Sequence, residues 1–242
     1  MRDYKIETEK RINFIRAQLE ESGAKGIVFG NSGGKDSVLV GILCKKACED
    51  TVGLIMPCTS KCNYGDDLTD ALMISKLYRI EKRKVDLTKT AASIKKALDE
   101  SVNITPGAEI NIAPRLRMTA LYAVAATENR LVAGTGNKSE RYIGYFTKWG
   151  DGAFDFNPIA DLTVTEIYQF LTYLEVPKRI IDKAPSAGLY DGQTDEGEIG
   201  VTYKAIDEYL SSGVCAPDDM EKIANYHKIS SHKRNPPKVY ED

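Results

Sequence analysis

The sequence predicts an α/β fold, a parallel doubly wound sheet with a helical C-terminal part. Short apolar runs alternate with segments of helical period as far as residue 140. Two of those runs end in glycine turns, and the last third carries helix patterns with no strand between them. Such alternation builds a parallel sheet covered on both faces, and sheets of that kind hold ligands beyond the carboxyl ends of their strands.

In chain order, residues 4–22 read as an amphipathic helix with Ile12, Ile15 and Leu19 on one face. Gly26 to Gly30 is a first strand and Ser37 to Cys48 an apolar helix. Thr51 to Met56 is a second strand, stopped by Pro57. A polar loop, Cys58 to Asp67, leads to a helix from Asp66 to Tyr78 with Leu68, Ala71, Leu72 and Ser75 on one face. Arg83 to Leu87 is a third strand and Lys89 to Glu100 a helix. A loop carries Pro106-Gly107, and Pro114 opens a helix to Glu128, since proline suits a first turn. Arg130 to Gly134 is a fourth strand. Helices are then expected at Thr163–Leu174, Pro177–Lys183, Thr202–Leu210 and Asp218–Ser231. The loops Cys58–Asp66 and Ser186–Gly200 are expected to be mobile and to order over ligands.

Composition narrows the class. With 242 residues, 42% hydrophobic and 28% charged, one large domain over 1–242 is expected. A net charge of −2 with no basic tract argues against a nucleic-acid partner. No run of about 18 apolar residues predicts a membrane span, and the polar N-terminus has no signal-peptide core, which fits a cytoplasmic enzyme. The five cysteines (Cys44, Cys48, Cys58, Cys62 and Cys215) form no CxxC pair and are expected to be reduced thiols, a cysteine metal site being the weaker alternative.

The string Ser32-Gly33-Gly34-Lys35-Asp36-Ser37 lies between the first strand and its helix. Glycines let the backbone fold back so that successive N–H groups point outward, and the helix dipole adds positive potential, which suits phosphate. It is not the common P-loop, which needs Gly-Lys-Ser/Thr four residues after a glycine. A carboxylate beside phosphates is repulsive unless a cation lies between them, so Asp36 implies Mg²⁺. The bland alternative is a turn that only joins strand to helix. A second turn, Gly134-Thr135-Gly136-Asn137-Lys138-Ser139-Glu140, supplies more donors and a second carboxylate, Glu140. Asp36 and Glu140 together suit Mg²⁺ shared with phosphates, while Glu140 alone also suits a helix cap.

Read together, these strings resemble the N-type ATP pyrophosphatases, and within them the NAD⁺ synthetases. The resemblance continues through Arg115-Leu116-Arg117-Met118, Gly144 to Gly152, Asn157-Pro158-Ile159, Lys183 to Ala187, Gly192 to Glu196 and His232 to Pro237, in order over about residues 10–240. It implies an adenine-nucleotide hydrolase-like, Rossmann-like domain, in a homodimer. The implied activity is amidation of deamido-NAD⁺ (nicotinic acid adenine dinucleotide) by ammonia, with ATP and Mg²⁺, through an acyl-adenylate. The chain has no room for the glutaminase domain of glutamine-dependent members, so the ammonia-dependent form is expected.

By the same resemblance, Asp36 and Glu140 hold Mg²⁺. Gly30, Asn31, Ser32, Gly33, Gly34, Lys35, Asp36, Ser37, Thr135 and Ser186 contact ATP. Arg115, Lys148, Asp155, His232 and Lys233 contact deamido-NAD⁺. Arg115 and Arg117, two apart on a helix, cannot both face one site, so one is expected to be a surface arginine. His232-Lys233-Arg234 could also be a solvated tail, and Trp149 and Phe154 packing residues. Two departures stand out. Val164 takes the place of a lysine that contacts ATP in the family, and Lys35 is charged where many relatives are not. We expect Lys35 to act in the catalytic site and to compensate for the cation missing at Val164. The competing readings are another adenylating member of the same group and a non-catalytic nucleotide sensor; the paired carboxylates argue against the sensor.

Overall fold

The computed structural model describes residues 2–58, 60–186, 188–190 and 192–240; Ala187, Asp191 and the Cys62 side chain, all within segments singled out above, lie outside the described residues. Four strands, β1 (Gly26–Gly30), β2 (Thr51–Ile55), β3 (Glu81–Lys84) and β4 (Arg130–Ala133), form a parallel sheet in the order β3-β2-β1-β4 among the described residues. Residue alternation along β1 divides the core. Ile27 and Phe29 face one side and Val28 the other.

Helices α1 (Tyr4–Ser22), α2 (Lys35–Ala47) and α3 (Asp66–Leu77) contribute to the first core, with Ile15, Leu39, Leu43 and Ile74 buried. Helix α4 (Thr88–Asp99) and, after the one-turn α5 (Pro106–Glu109), helix α6 (Ile112–Glu128) cover the opposite face through Ala91, Ala113 and Ala125. Helix α7 (Lys138–Ile143) follows β4, and α8 (Val164–Tyr173) returns to the first face through Ile167, Phe170 and Leu171. Then come α9 (Lys178–Ile181), α10 (Asp195–Ile199), α11 (Tyr203–Ser212), α12 (Pro217–Ile229) and α13 (Ser231–Arg234). A third core of Ile143, Val164, Ile199, Tyr203, Ile206 and Ile223 joins α7 and α8 to this C-terminal part. No helix among the described residues is long and apolar enough to cross a membrane.

The expected order of elements is present, with instructive shifts. Strand β3 occupies 81–84 rather than 83–87. It is an edge strand made of Glu81, Lys82, Arg83 and Lys84, so its charges lie where edge protection needs them, and the apolar Val85 and Leu87 pack just beyond it. Helix α10 lies in what reads as a glycine-rich loop. On α3 the buried face is Asp70, Ala71, Ile74 and Ser75, while Leu72 points outward. Phe156 makes a parallel bridge to Ala133, extending the sheet past β4. Cys44, Cys48, Cys58 and Cys215 are free thiols; Cys48 stands just past the end of α2 rather than on its buried face.

From β1 the chain steps outward to β2 and β3, then returns to place β4 on the other side of β1. The strand order therefore reverses between β1 and β4, and a crevice opens at their carboxyl ends. Both glycine turns lie there.

Candidate active site

The first turn is built by its neighbours. Asn31 donates its backbone N–H to Leu54 O (2.8 Å), and its side chain donates to Ala71 O (3.3 Å) and Ser75 Oγ (3.0 Å). Its Oδ1 accepts from the Gly33 N–H (3.3 Å), which sets the bend. Gly33 has φ +73°, a conformation disfavoured for residues with a Cβ. Ser32 and Ser37 hydroxyls lie 3.1 Å apart, and Ser37 Oγ also donates to Gly34 O. Helix α2 begins at Lys35, two residues earlier than its apolar run suggests. The Lys35, Asp36 and Ser37 N–H groups thus lie in its first turn, where helices leave donors unpaired.

The second turn meets the first through Asn137, which is fully buried. Its Nδ2 donates to Asp36 Oδ1 (3.2 Å), its N–H to Glu140 Oε2 (3.2 Å), and its Oδ1 accepts from the Glu140 N–H (3.0 Å). Glu140 therefore caps α7 with Oε2 and leaves Oε1 outside the capping box. Asn157 Nδ2 steadies the turn from outside, donating to Gly136 O (2.8 Å). Thr135 is half-buried beside it. Behind the turn, buried Ser139 donates to Asp207 of α11 and accepts from the Val164 N–H (3.1 Å); Asp207 accepts from the Thr165 N–H (2.7 Å).

Lys35 reaches into the space between the carboxylates. Its Nζ lies 2.7 Å from Asp36 Oδ2 and 3.9 Å from Glu140 Oε1, beneath the Tyr203 ring at 5.6 Å. Burial opposes the ammonium charge, but the Asp36 and Glu140 charges outweigh it and raise the Lys35 pKa. Burial and the neighbouring Asp36 carboxylate push Glu140 up to about 8, against the pull of Lys35 and the Asn137 N–H. Tyr203, which donates to Asp195 Oδ2 (3.0 Å), is raised by burial and by the Glu140 and Asp195 charges. Val164 is buried in the same apolar cluster as Tyr203. Lys35 and Val164 thus both lie beside Tyr203, and the Lys35 ammonium is directed at carboxylates.

Helix α3 links the first turn to the segment that carries Ser186. Asp70, 1% exposed, accepts from Arg179 (2.5 Å) and Lys183 (2.9 Å), and Lys183 also reaches Asp67 (2.8 Å). Asn63 donates to Asp67 Oδ2 and Gly188 O, both at 3.1 Å, and Ser186 Oγ accepts from the Gly188 N–H.

The residues assigned to the dinucleotide form a neighbouring patch. Arg115 Nη2 donates to Lys148 O (3.4 Å), Lys148 Nζ to His232 O (2.7 Å), and Lys233 Nζ to Gly144 O and Phe146 O, both at 2.8 Å. Asp155 accepts from the Val132 N–H (2.7 Å) and Tyr122 OH (3.2 Å). Tyr122 lies seven residues, two turns, after Arg115 and so on the same face of α6, about 10 Å further along it. The two arginines of α6 do point different ways: Arg115 is exposed, while Arg117 faces inward and donates to Met56 O (3.1 Å) and Asn63 Oδ1 (2.9 Å). The alternative of a solvated C-terminal tail fails at Arg234, which donates to Tyr142 O, Ser230 Oγ and His227 O. Phe154 does pack, against Gly134, whereas Trp149 is 54% exposed. Asp70 and Asp207 escaped the motif reading because neither falls inside a singled-out string, and Asn137, which does, carried no assigned role.

The sequence matches the NAD synthase family over residues 7–237. It is 45% identical over 240 residues to the NH(3)-dependent NAD(+) synthetase of Carboxydothermus hydrogenoformans, covering 98% of both chains. Among solved structures, the NMN synthetase of Francisella tularensis superposes with a TM-score of 0.93 at 36% identity over 99% of both chains. The NH3-dependent NAD synthetase of Campylobacter jejuni superposes with a TM-score of 0.80 at 33% identity, over the full length of both chains.

Proposed function

Because this chain belongs to the NAD synthase family, we propose that the crevice between β1 and β4 is where it binds ATP and activates a nicotinate carboxylate. The chain is an ammonia-dependent NAD⁺ synthetase, a ligase that converts deamido-NAD⁺ to NAD⁺ with release of AMP and pyrophosphate. A carboxylate is a poor electrophile toward ammonia. One carboxylate oxygen therefore attacks the α-phosphorus of ATP, the bond to pyrophosphate breaks, and an acyl-adenylate forms. Ammonia then attacks the acyl carbon, loses a proton, and AMP leaves with the C–O bond pair.

In this reading the residues from Gly30 to Ser37 hold the departing pyrophosphate, with N–H groups of the first turn of α2 and the Ser32 and Ser37 hydroxyls as donors. Thr135 and Ser186 contact the nucleotide. Arg115, Lys148, Asp155, His232 and Lys233 hold the dinucleotide, the cations facing its phosphates and carboxylate. The donor set fits Mg²⁺: Asn137 fixes one oxygen each of Asp36 and Glu140, and their remaining oxygens converge on one ammonium. No cluster of three acidic, His or Cys ligands exists among the described residues. Two carboxylates leave most of a six-oxygen shell to substrate phosphates and water. When bound there, the ion would neutralise charge developing on the pyrophosphate. A homodimer in the cytoplasm completes the proposal, with light scattering as the check on its mass.

The observation that carries this reading is the meeting of Asp36 and Glu140 across the strand-order reversal. The test is incubation with ATP, Mg²⁺, ammonium and deamido-NAD⁺. Equimolar NAD⁺, AMP and pyrophosphate are expected, and all three are lost in Asp36→Asn. AMP without NAD⁺ points to another acceptor, and no AMP to a sensor. A second reading is favoured by the high structural similarity to an NMN synthetase. There the acceptor is the mononucleotide, and the same assay with nicotinic acid mononucleotide separates the two by the ratio of kcat/KM.

A further inference from the structure

We propose that Lys35 is a built-in counter-ion of the Asp36–Glu140 pair that yields its place to a metal–nucleotide complex, so that the free chain holds divalent cations weakly until ATP is present. The proposal rests on the reading of Asp36 and Glu140 as metal ligands.

The oxygens in question are the same ones. Asp36 Oδ1 and Glu140 Oε2 are held by Asn137, leaving Asp36 Oδ2 and Glu140 Oε1, and both of these face Lys35 Nζ at 2.7 and 3.9 Å. A divalent ion and an ammonium are like charges competing for one pair of acceptors. Nor is Lys35 a surface lysine that has swung inward. It is the first residue of α2, its side chain is 6% exposed, and the Tyr203 ring stands 5.6 Å over its ammonium. Among the described residues, no other Lys, Arg or His lies within 4.0 Å of either carboxylate. Without Lys35 the two carboxylates, 17% and 16% exposed, would repel each other with little water to screen them.

Charge then couples metal to nucleotide. A divalent ion arriving alone gains two carboxylate oxygens but must push a cation out of a buried position. Arriving with ATP it brings phosphate oxygens, which can accept the displaced ammonium. The coupling is reciprocal, so ATP tightens metal binding by the factor by which metal tightens ATP binding.

Mn²⁺ serves as the probe, with free ion counted by electron paramagnetic resonance, using the full chain with and without a non-hydrolysable ATP analogue. Lys35→Met is expected to bind Mn²⁺ without nucleotide at least tenfold more tightly than the parent, and the gain from the analogue shrinks by the same factor. Lys35→Gln, which keeps a hydrogen-bond donor, is expected to change in the same direction, and serves if the methionine variant does not fold. Lys35→Arg is expected to stay weak. Thermal melts give an independent readout: Mn²⁺ alone should raise the Tm of the neutral variants more than that of the parent. Equal nucleotide-free affinity in the parent and both neutral variants overturns the proposal. Asp36→Asn separates the premise. If it still binds Mn²⁺ with the analogue as the parent does, the metal-site reading itself fails. If it loses that binding while the Lys35 variants gain nothing, only the counter-ion role fails.

Discussion

Gly33 and Asp67 touch across the phosphate turn: a Cβ on Gly33 would stand 2.7 Å from the Asp67 carbonyl oxygen and 2.8 Å from the Ala71 nitrogen. Both obstacles are backbone of α3, so neither can rotate away. Gly33→Ala combines a left-handed φ with this clash. We expect it to lower stability by about 2–4 kcal/mol and to abolish nucleotide binding. Urea unfolding and ATP titration check the two effects.

The same helix holds the Ser186 segment down. Asp70 is buried between Arg179 and Lys183, whose side chains are 51% and 28% exposed. Asp70→Asn removes the charge both cations share. A loss of about 1–3 kcal/mol is expected, toward the lower end because both partners are partly solvated. Limited proteolysis should cut residues 183–190 faster in the variant, and KM for ATP should rise.

Asp207 acts at one remove from the crevice. Truncation to Ala leaves the Ser139 hydroxyl and the Thr165 N–H without their acceptor. Ser139 is fully buried while Thr165 is exposed, so a cost of about 1–3 kcal/mol, mostly from the Ser139 hydroxyl, is expected, with a fall in kcat as Glu140, next to Ser139, loses its support. Calorimetry and steady-state rates measure these separately, and Asp207→Asn should recover part of the loss.

Acid should loosen the attachment of α1. Burial alone would raise the Asp161 pKa, but hydrogen bonds from Arg11 and the Arg11 and Arg2 charges outweigh it and hold it below the usual carboxylate value. A depressed carboxylate pKa means the unfolded chain binds the proton more readily. Its contribution is therefore present above the unfolded value and is lost as pH falls through the folded one, in the acid range below the ordinary carboxylate value. With its side chain 55% exposed, the effect is below about 1 kcal/mol. Asp161→Asn should flatten the acid limb of a Tm-versus-pH profile by that amount.

For Lys35→Gln the expected kinetic result is a KM for ATP raised at least tenfold. That equals about 1.4 kcal/mol, the size of one charge-assisted hydrogen bond. An unchanged KM would remove Lys35 from the nucleotide site.

Much of this was legible in the residues because the chemistry is compressed into two short strings. Asp36 and Glu140 each follow a glycine turn at a strand end, and a parallel sheet can bring two such ends together. The adjacency of β1 and β4 is a tertiary fact that no local pattern carries. Asn137 was visible only as one polar residue in a turn, yet it orients both carboxylates. Asp70 was hidden for the opposite reason: apolar spacing on α3 favours Leu72, while the buried side is occupied by a carboxylate whose cations come from 109 and 113 residues away. Which of Arg115 and Arg117 faces inward could not be read locally, because the carbonyl and amide that hold Arg117, on Met56 and Asn63, lie over 50 residues earlier.

Strand β1 has partners on both edges and apolar cover on both faces. Its amide protons should be among the slowest in the molecule to exchange with solvent, opening only with global unfolding. The Ser186 segment is instead held by side-chain bonds to Asp67, Asp70 and Asn63. It can detach at a fraction of that free energy. Amides around Ser186 should therefore exchange faster than those of β1, so the strand that carries the phosphate turn stays folded while the chain beside α3 opens.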